Sequence, residues 1–177
     1  MNIFYLDKDP QLAARYQCNK HVVKMILESA QLLSTAHRVL DGIEYLENKR
    51  KRYKLYDGRE YVLYKATHIN HPCALWCRES RENYFWLFDH FKFLMEEYTY
   101  RYGKFHKCKD MMSSLVVPPK SLKNKDFTIP PACMPDEYKI SSNIVTNYRE
   151  YYRNGKKHLL KWTTREKPEW IENAHNF

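Results

Sequence analysis

Glycine is scarce in this chain, with four in 177 residues. A Gly-rich phosphate loop, a dinucleotide fingerprint and a nucleophile elbow are all missing, which disfavours a nucleotide hydrolase of common type. No apolar run approaches 18 residues, so no membrane span is expected. The opening run, Met1 to Leu6, is too short for a targeting segment and lacks its cationic end. Cysteines number five. The count is odd and no secretory leader precedes it, so free thiols in a reducing compartment are expected. Acidic residues are also in deficit, 21 against 30 Lys and Arg, for a formal charge of +9. A basic chain of this kind suggests a polyanionic partner, most simply nucleic acid. The length fits one domain, residues 1–177, with enough chain to bury a core.

Aromatic residues are abundant: 15 Tyr, 8 Phe and 4 Trp. Aromatic rings interleaved with cations are what a base-stacking, phosphate-binding surface needs. Most of these rings fall at helical spacings, however, and read as core.

The fold class is mainly α: two long helices, a shorter third, a small β-hairpin and a long Pro-rich loop. Pro10, with Asp9 as N-cap, opens a helix over about 10–40, and Pro72 opens a second over about 72–102. Tyr84, Leu87, Phe91, Leu94 and Tyr98 repeat at 3-4 spacing and form the second helix's buried stripe. The third helix spans about 142–154. Residues 2–6 read as an extended apolar segment on the core. Asp57-Gly58 between β-prone residues reads as a tight hairpin, preceded by a solvated basic loop at 48–54. Residues 104–140 are Pro-punctuated and irregular, and 156–177 form a basic aromatic tail.

Within the first helix a polar stripe repeats 4-3-4-3-4-3: Gln17, His21, Lys24, Glu28, Gln31, Thr35 and Arg38. These side chains share one face, an arc roughly 100° wide, on an otherwise apolar cylinder. Such a helix is expected to be mostly buried, Val23 and Leu27 included, with one narrow wet face lining a cleft. The alternatives are a sealed internal polar network and a solvated strip at the rim of a helix pair. His21, Lys24 and Glu28 converge on one small volume, where a carboxylate beside an amine can move a proton or steady a cationic intermediate.

A second constellation surrounds the second helix's start: His68, Asn70, His71, Cys73, Cys77 and Arg78. Two His and two Cys are zinc-ligand types, but their spacing matches no familiar four-ligand knuckle, so no metal or other cofactor is expected. His68, Asn70 and His71 read instead as polar groups beside the cleft, with Cys73 and Cys77 as small core residues. A third, Asp136 and Glu137 in a Pro-bounded loop, reads first as a capped turn and second as a metal ligand or a general acid/base pair.

The order of these features resembles the phage pyrimidine-dimer DNA glycosylases of the endonuclease V type. The likeness rests on the short first segment, the long first helix with polar groups toward a cleft, and the runs Glu82-Asn83-Tyr84, Glu96-Glu97-Tyr98 and Arg101-Tyr102-Gly103. A Met134-Pro135-Asp136-Glu137 loop and a Lys167-Pro168-Glu169-Trp170 tail extend it. The runs Lys20-His21-Val22-Val23-Lys24-Met25 and Thr35-Ala36-His37-Arg38 resemble uncharacterised phage proteins loosely associated with that group.

In that family an N-terminal α-amine attacks the sugar C1′ of the damaged nucleotide and forms an imine. A glutamate of the first helix supports the intermediate, and β-elimination cuts the strand. An α-amine suits this work, because its ordinary pKa of about 7.7–8.0 leaves part of it neutral near pH 7. The resemblance implies a base-excision glycosylase with AP-lyase activity on double-stranded, damaged DNA, in the cytoplasm of an infected bacterial cell. It makes Glu28 the glutamate. The family exposes a small residue after loss of its first Met. Asn2 disfavours that removal, so Met1 keeps the amine, with Lys24 as the competing nucleophile and His21 beside them. Glu28 lies about two helical turns further along than the family spacing. Gln31, Arg38, His68, Asn70, His71 and Arg78 become DNA or substrate contacts, and Lys49, Arg50, Lys51, Arg52, Lys161 and Trp162 hold phosphates or stack. Two rival readings share the cleft: a non-catalytic nucleic-acid or nucleotide-binding phage protein, and an enzyme acting on a free nucleotide or modified base.

Overall fold

Asp9 starts the first helix as its sequence predicts: its carboxylate accepts from Gln11 N–H at 2.7 Å and Leu12 N–H at 3.0 Å, and Pro10 fills the first turn. In the computed structural model, which describes residues 1–172, this helix does not run on to residue 40. It stops as α1 (Pro10–Tyr16) and restarts as α2 (Asn19–Asp41). Gln17 and Cys18 between them are extended. The break is tertiary in origin. The Arg101 guanidinium takes the carbonyls of Arg15 and Gln17 at 2.9 and 2.7 Å, and Cys18 N–H donates to Tyr152 Oη at 2.8 Å. Backbone groups freed by the interruption are thereby satisfied inside the fold.

The hairpin lies upstream of its expected position. β1 (Ile43–Glu47) pairs antiparallel with β2 (Arg50–Lys54) around Asn48-Lys49. Both turn residues have positive φ, 51° and 61°, as a two-residue turn matched to strand twist requires. The basic run is therefore mostly strand rather than loop. Asp57-Gly58, read as the turn, instead starts a one-turn helix, α3 (Arg59–Val62), where the Asp57 carboxylate accepts from Arg59 N–H at 2.9 Å.

The second long helix also divides, into α4 (Pro72–Cys77) and α5 (Arg81–Tyr102). Ser80 caps the restart by accepting from Asn83 N–H at 3.1 Å. Tyr84, Leu87, Phe91 and Leu94 are buried on α5, and both α1 and α2 pack against it. Gly103 ends it in the left-handed conformation, φ 65°, which costs glycine little. The Pro-rich stretch holds one 3-10 turn (Lys107–Met111), a short α6 (Met112–Leu115) and a second 3-10 turn (Asp136–Tyr138). That second turn is the capped-turn reading of Asp136, whose carboxylate is exposed and pairs with Lys139 at 2.6 Å. The third helix is shorter than expected: α7 (Ile144–Glu150) runs into a π-type turn over Tyr151–Gly155. The final five residues of the 156–177 tail lie outside the described residues. The fold is mainly α with one two-stranded ribbon, and no described helix is long and apolar enough to cross a membrane.

Candidate functional site

The polar stripe, running from Gln17 along α2, is open in its middle and sealed at its two ends. Val23 and Leu27 are exposed rather than buried, because the solvent face runs through Lys20, Val23, Lys24 and Leu27. Gln17, Thr35 and Arg38 are fully enclosed. The uniform wet face is thus corrected: the chain covers both ends of the stripe and leaves its middle open.

Arg38 is a scaffold residue, not a DNA contact. Its guanidinium donates to the carbonyls of Tyr53, Glu60, Leu63 and Tyr64 and to Glu60 Oε2 at 2.6 Å. The segment between the hairpin and α4 folds around it. Arg78 is likewise spent on backbone, the carbonyls of Ala74 and Ile69.

His21, Lys24 and Glu28 do come together, lining a cleft of about 500 Å³ along with Met1, Asn2, Phe4, Cys133, Tyr151 and Lys156. The N-terminal segment reaches it through Asn2. Its backbone N–H donates to Glu28 Oε2 at 2.8 Å, and its side-chain Nδ2 donates to the Cys133 carbonyl at 2.7 Å. Its Oδ1 accepts from Ile3 and Phe4 N–H at 2.7 and 3.0 Å. Phe4, buried among His21, Tyr148, Tyr151 and Tyr152, holds a left-handed φ of 53°, a local strain that the packing and the Asn2 bonds maintain.

The Met1 α-amine lies 3.9 Å from Glu28 Oε2, and Lys24 Nζ lies 3.5 Å from Oε1. One carboxylate therefore faces two amines. Lys20, Lys24 and Lys156 line the cleft with Glu28 as the one acid among the lining residues, so the cleft favours an anionic ligand.

His21 is held neutral. Burial, then the nearby Lys156 and Lys24, push its pKa down to about 4. Tyr152 Oη accepts from Cys18 N–H at 2.8 Å and lies within hydrogen-bond distance of His21 Nδ1, 2.9 Å away.

Tyr151 supplies an aromatic wall, stacked on Phe4 with centroids 6.0 Å apart and packed on Tyr138 at 5.0 Å. Gly155 allows this: a Cβ there would sit 2.6 Å from the Tyr151 ring. Lys20, Lys156, Tyr151 and Cys133 also line the cleft, and none of them was singled out as a cleft residue from the sequence. The first had a signal, one turn before Lys24 on the same exposed face.

The remaining expected contacts do not line the cleft. Gln31 is half-buried beyond Glu28, while His68 and Asn70 are exposed. Lys49, Arg50 and Lys51 are exposed on the hairpin, where Lys51 pairs with Glu44 and Arg52 with Glu47. Lys161 is exposed, but Trp162 is half-buried and anchors the tail by donating to the Tyr16 carbonyl at 3.2 Å.

His71 caps α4 by accepting from Cys73 N–H at 3.2 Å. Its ring nitrogen and the sulfurs of Cys73 and Cys133 lie within 4.8 Å of one another. The two sulfurs are 3.4 Å apart. A hydrogen bond from Cys73 and the N-terminal ammonium hold the Cys133 thiol below its ordinary value, while Cys73 is pushed up by that same bond and by burial. Cys77 is fully buried and pushed up to about 12. His68 and Cys77 stand outside this cluster, so the ligand set weighed from sequence is not the one the fold assembles.

A family model described as pyrimidine dimer DNA glycosylase matches residues 1–111. No curated protein and no solved structure gives a significant match.

Proposed function

From the chain's membership of the pyrimidine dimer DNA glycosylase family, which acts in repair on pyrimidine dimers in DNA, we propose that it excises the damaged base through an amine–sugar imine formed in the α2 cleft. The observation that carries this reading is the approach of the chain's first backbone nitrogens to Glu28. The Met1 amine is 3.9 Å from its carboxylate and the Asn2 nitrogen 2.8 Å. An α-amine at either residue meets the same acid.

The neutral amine attacks C1′ of the flipped nucleotide, and the base leaves as the glycosidic bond breaks. The sugar ring then opens as the C1′–O4′ bond breaks and O4′ takes up a proton, leaving the nitrogen bound to C1′ as an iminium whose positive charge the Glu28 carboxylate stabilises. Abstraction of a proton at C2′ then expels the 3′ phosphate and regenerates the imine for hydrolysis. Lys20, Lys24 and Lys156 neutralise the flanking phosphates. Tyr151 stacks against a displaced base and offsets part of the few kcal/mol that flipping costs. The exposed cations of the hairpin, with Lys161, extend the phosphate contact away from the cleft. Lys24 is the less favoured nucleophile, because its side chain is 66% exposed and its ammonium is free to stay hydrated.

Borohydride trapping on ultraviolet-irradiated and abasic duplexes tests this. A covalent adduct that maps to the N-terminal peptide is expected. Glu28→Gln should slow its formation about 10²–10⁴-fold, whereas Lys24→Ala retains it with weaker binding. An adduct lost in Lys24→Ala moves the nucleophile to that lysine. If neither duplex is trapped or nicked while salt-sensitive DNA binding persists, the protein is a binder and the lyase chemistry is wrong.

A further inference from the structure

His71, Cys73 and Cys133 form a cluster for which the amine chemistry has no use. Two sulfurs and an imidazole nitrogen within 4.8 Å of one another are the donor set of a borderline-soft divalent cation. We propose that these three residues hold a thiophilic divalent ion of the Zn²⁺ class, joining the start of α4 to the Pro-rich segment at the cleft wall.

Zn–S bonds of about 2.3 Å and Zn–N bonds of about 2.0–2.1 Å at tetrahedral angles place ligand atoms about 3.5–3.8 Å apart. The sulfurs already stand 3.4 Å apart. Nδ1 of His71 accepts from Cys73 N–H, so it is unprotonated and its lone pair is available. Giving up that long bond to a cation leaves Nε2–H as a donor, the usual tautomer of a metal-bound histidine.

The cluster is assembled before any ion arrives, by groups outside it. Tyr148 Oη accepts from Cys133 N–H at 3.2 Å and donates to the Pro131 carbonyl at 2.7 Å. Asn2 Nδ2 holds the Cys133 carbonyl from the other side. Pro131 and Pro135 stiffen the flanking backbone. Cys73 is buried on the first turn of α4, so its sulfur has little freedom. Sixty residues separate the two cysteines, and a cation between them would close that loop in the folded state.

Three protein ligands leave a fourth tetrahedral position for water or a cleft ligand, the open arrangement of reactive zinc sites. Two thiolates and a neutral imidazole balance a divalent charge, so occupancy adds no repulsion to the basic cleft's phosphate attraction. The ion site stands on its own geometry and is independent of which amine attacks.

The test uses the untagged full chain, purified with reductant, loaded with Zn²⁺ and dialysed. Metal is counted by plasma mass spectrometry, and Co²⁺ substitution is followed by its thiolate charge-transfer absorption. About one ion per chain and a thiolate–Co²⁺ band are expected. Both should fall to background in Cys133→Ser and in His71→Asn, which keeps a helix-capping oxygen, while circular dichroism stays native. The proposal is overturned if the reduced, folded wild type takes up no metal. It is also overturned if uptake survives both substitutions, or if the cysteines are found as a disulfide that reduction does not convert to a metal site.

Discussion

Replacing Arg38 with Met separates a scaffold cation from a DNA-binding one. The side chain is 0% exposed and makes five hydrogen bonds, four to carbonyls of residues 53–64 and one to Glu60 Oε2. Removing one partner of a buried ion pair costs about 3–5 kcal/mol, because the other charge is left uncompensated. Glu60 retains Lys65 at 2.5 Å and the Leu55 N–H at 3.0 Å, so a middle value of about 4 kcal/mol is expected. With a urea slope of about 2 kcal/mol per molar, the unfolding midpoint should fall by about 2 M. Lys24→Met is the matched control. Its pair with Glu28 is solvent-facing and worth at most about 1 kcal/mol. The second readout is the salt dependence of DNA affinity under conditions where both variants are folded. Loss of one phosphate contact lowers the log–log slope by about 1. Lys24→Met should show that loss and Arg38→Met should not. An Arg38→Met protein with an unmoved midpoint and a reduced slope would refute the enclosed-scaffold reading.

Acid should unfold the protein early. Burial is the first cause that lowers His21, His37 and His90 from 6.5 to about 4. Below about pH 6.5 the unfolded chain binds a proton at each ring, whereas the folded chain does so only near pH 4. Stability is therefore complete above pH 6.5 and falls as pH drops, by up to about 3 kcal/mol per ring. Thermal melts at pH 7 and pH 5 check this, and a flat profile contradicts it. Lys49 sits at φ 61° in the hairpin turn, where a side chain is strained and glycine is not. Lys49→Gly should raise stability by about 0.5–1 kcal/mol in urea melts, and a loss of that size would place the strain elsewhere.

The helices were legible because their signals are local. Asp9-Pro10, Pro72, Gly103 and the 3-4 spacing from Tyr84 to Leu94 act within a turn or two of themselves. The interruptions at Gln17-Cys18 and before Ser80 were not. Gln17 has helical neighbours on both sides, and the first break depends on Arg101 and Tyr152 reaching in from residues more than 80 positions away. The hairpin was misplaced for a different reason. Asp57-Gly58 carries the stronger turn signal, but strands also need a face to bury. β1 is exposed throughout and β2 is exposed or half-exposed, so no alternation marked the ribbon that forms one turn earlier.

The open middle of the stripe was legible because His21, Lys24 and Glu28 ride on one helix, where spacing alone sets their convergence. The sealed ends were not, since whether Arg38 meets water depends on how residues 53–64 return over it. Cys133 and Lys156 could not be placed from sequence at all, because they join the cleft through long-range packing. One signal was nonetheless present in the residue types. An arginine presents a rigid fork of donors that buried carbonyls and carboxylates can saturate, whereas a lysine is a strongly hydrated point charge on a flexible stem. The cations that proved enclosed, Arg38 and Arg101, are arginines, and those around the cleft, Lys20, Lys24 and Lys156, are lysines. On a stripe of mixed cations, the change from Lys24 to Arg38 marks where the helix passes from a surface a phosphate can reach to an interior that only backbone can fill.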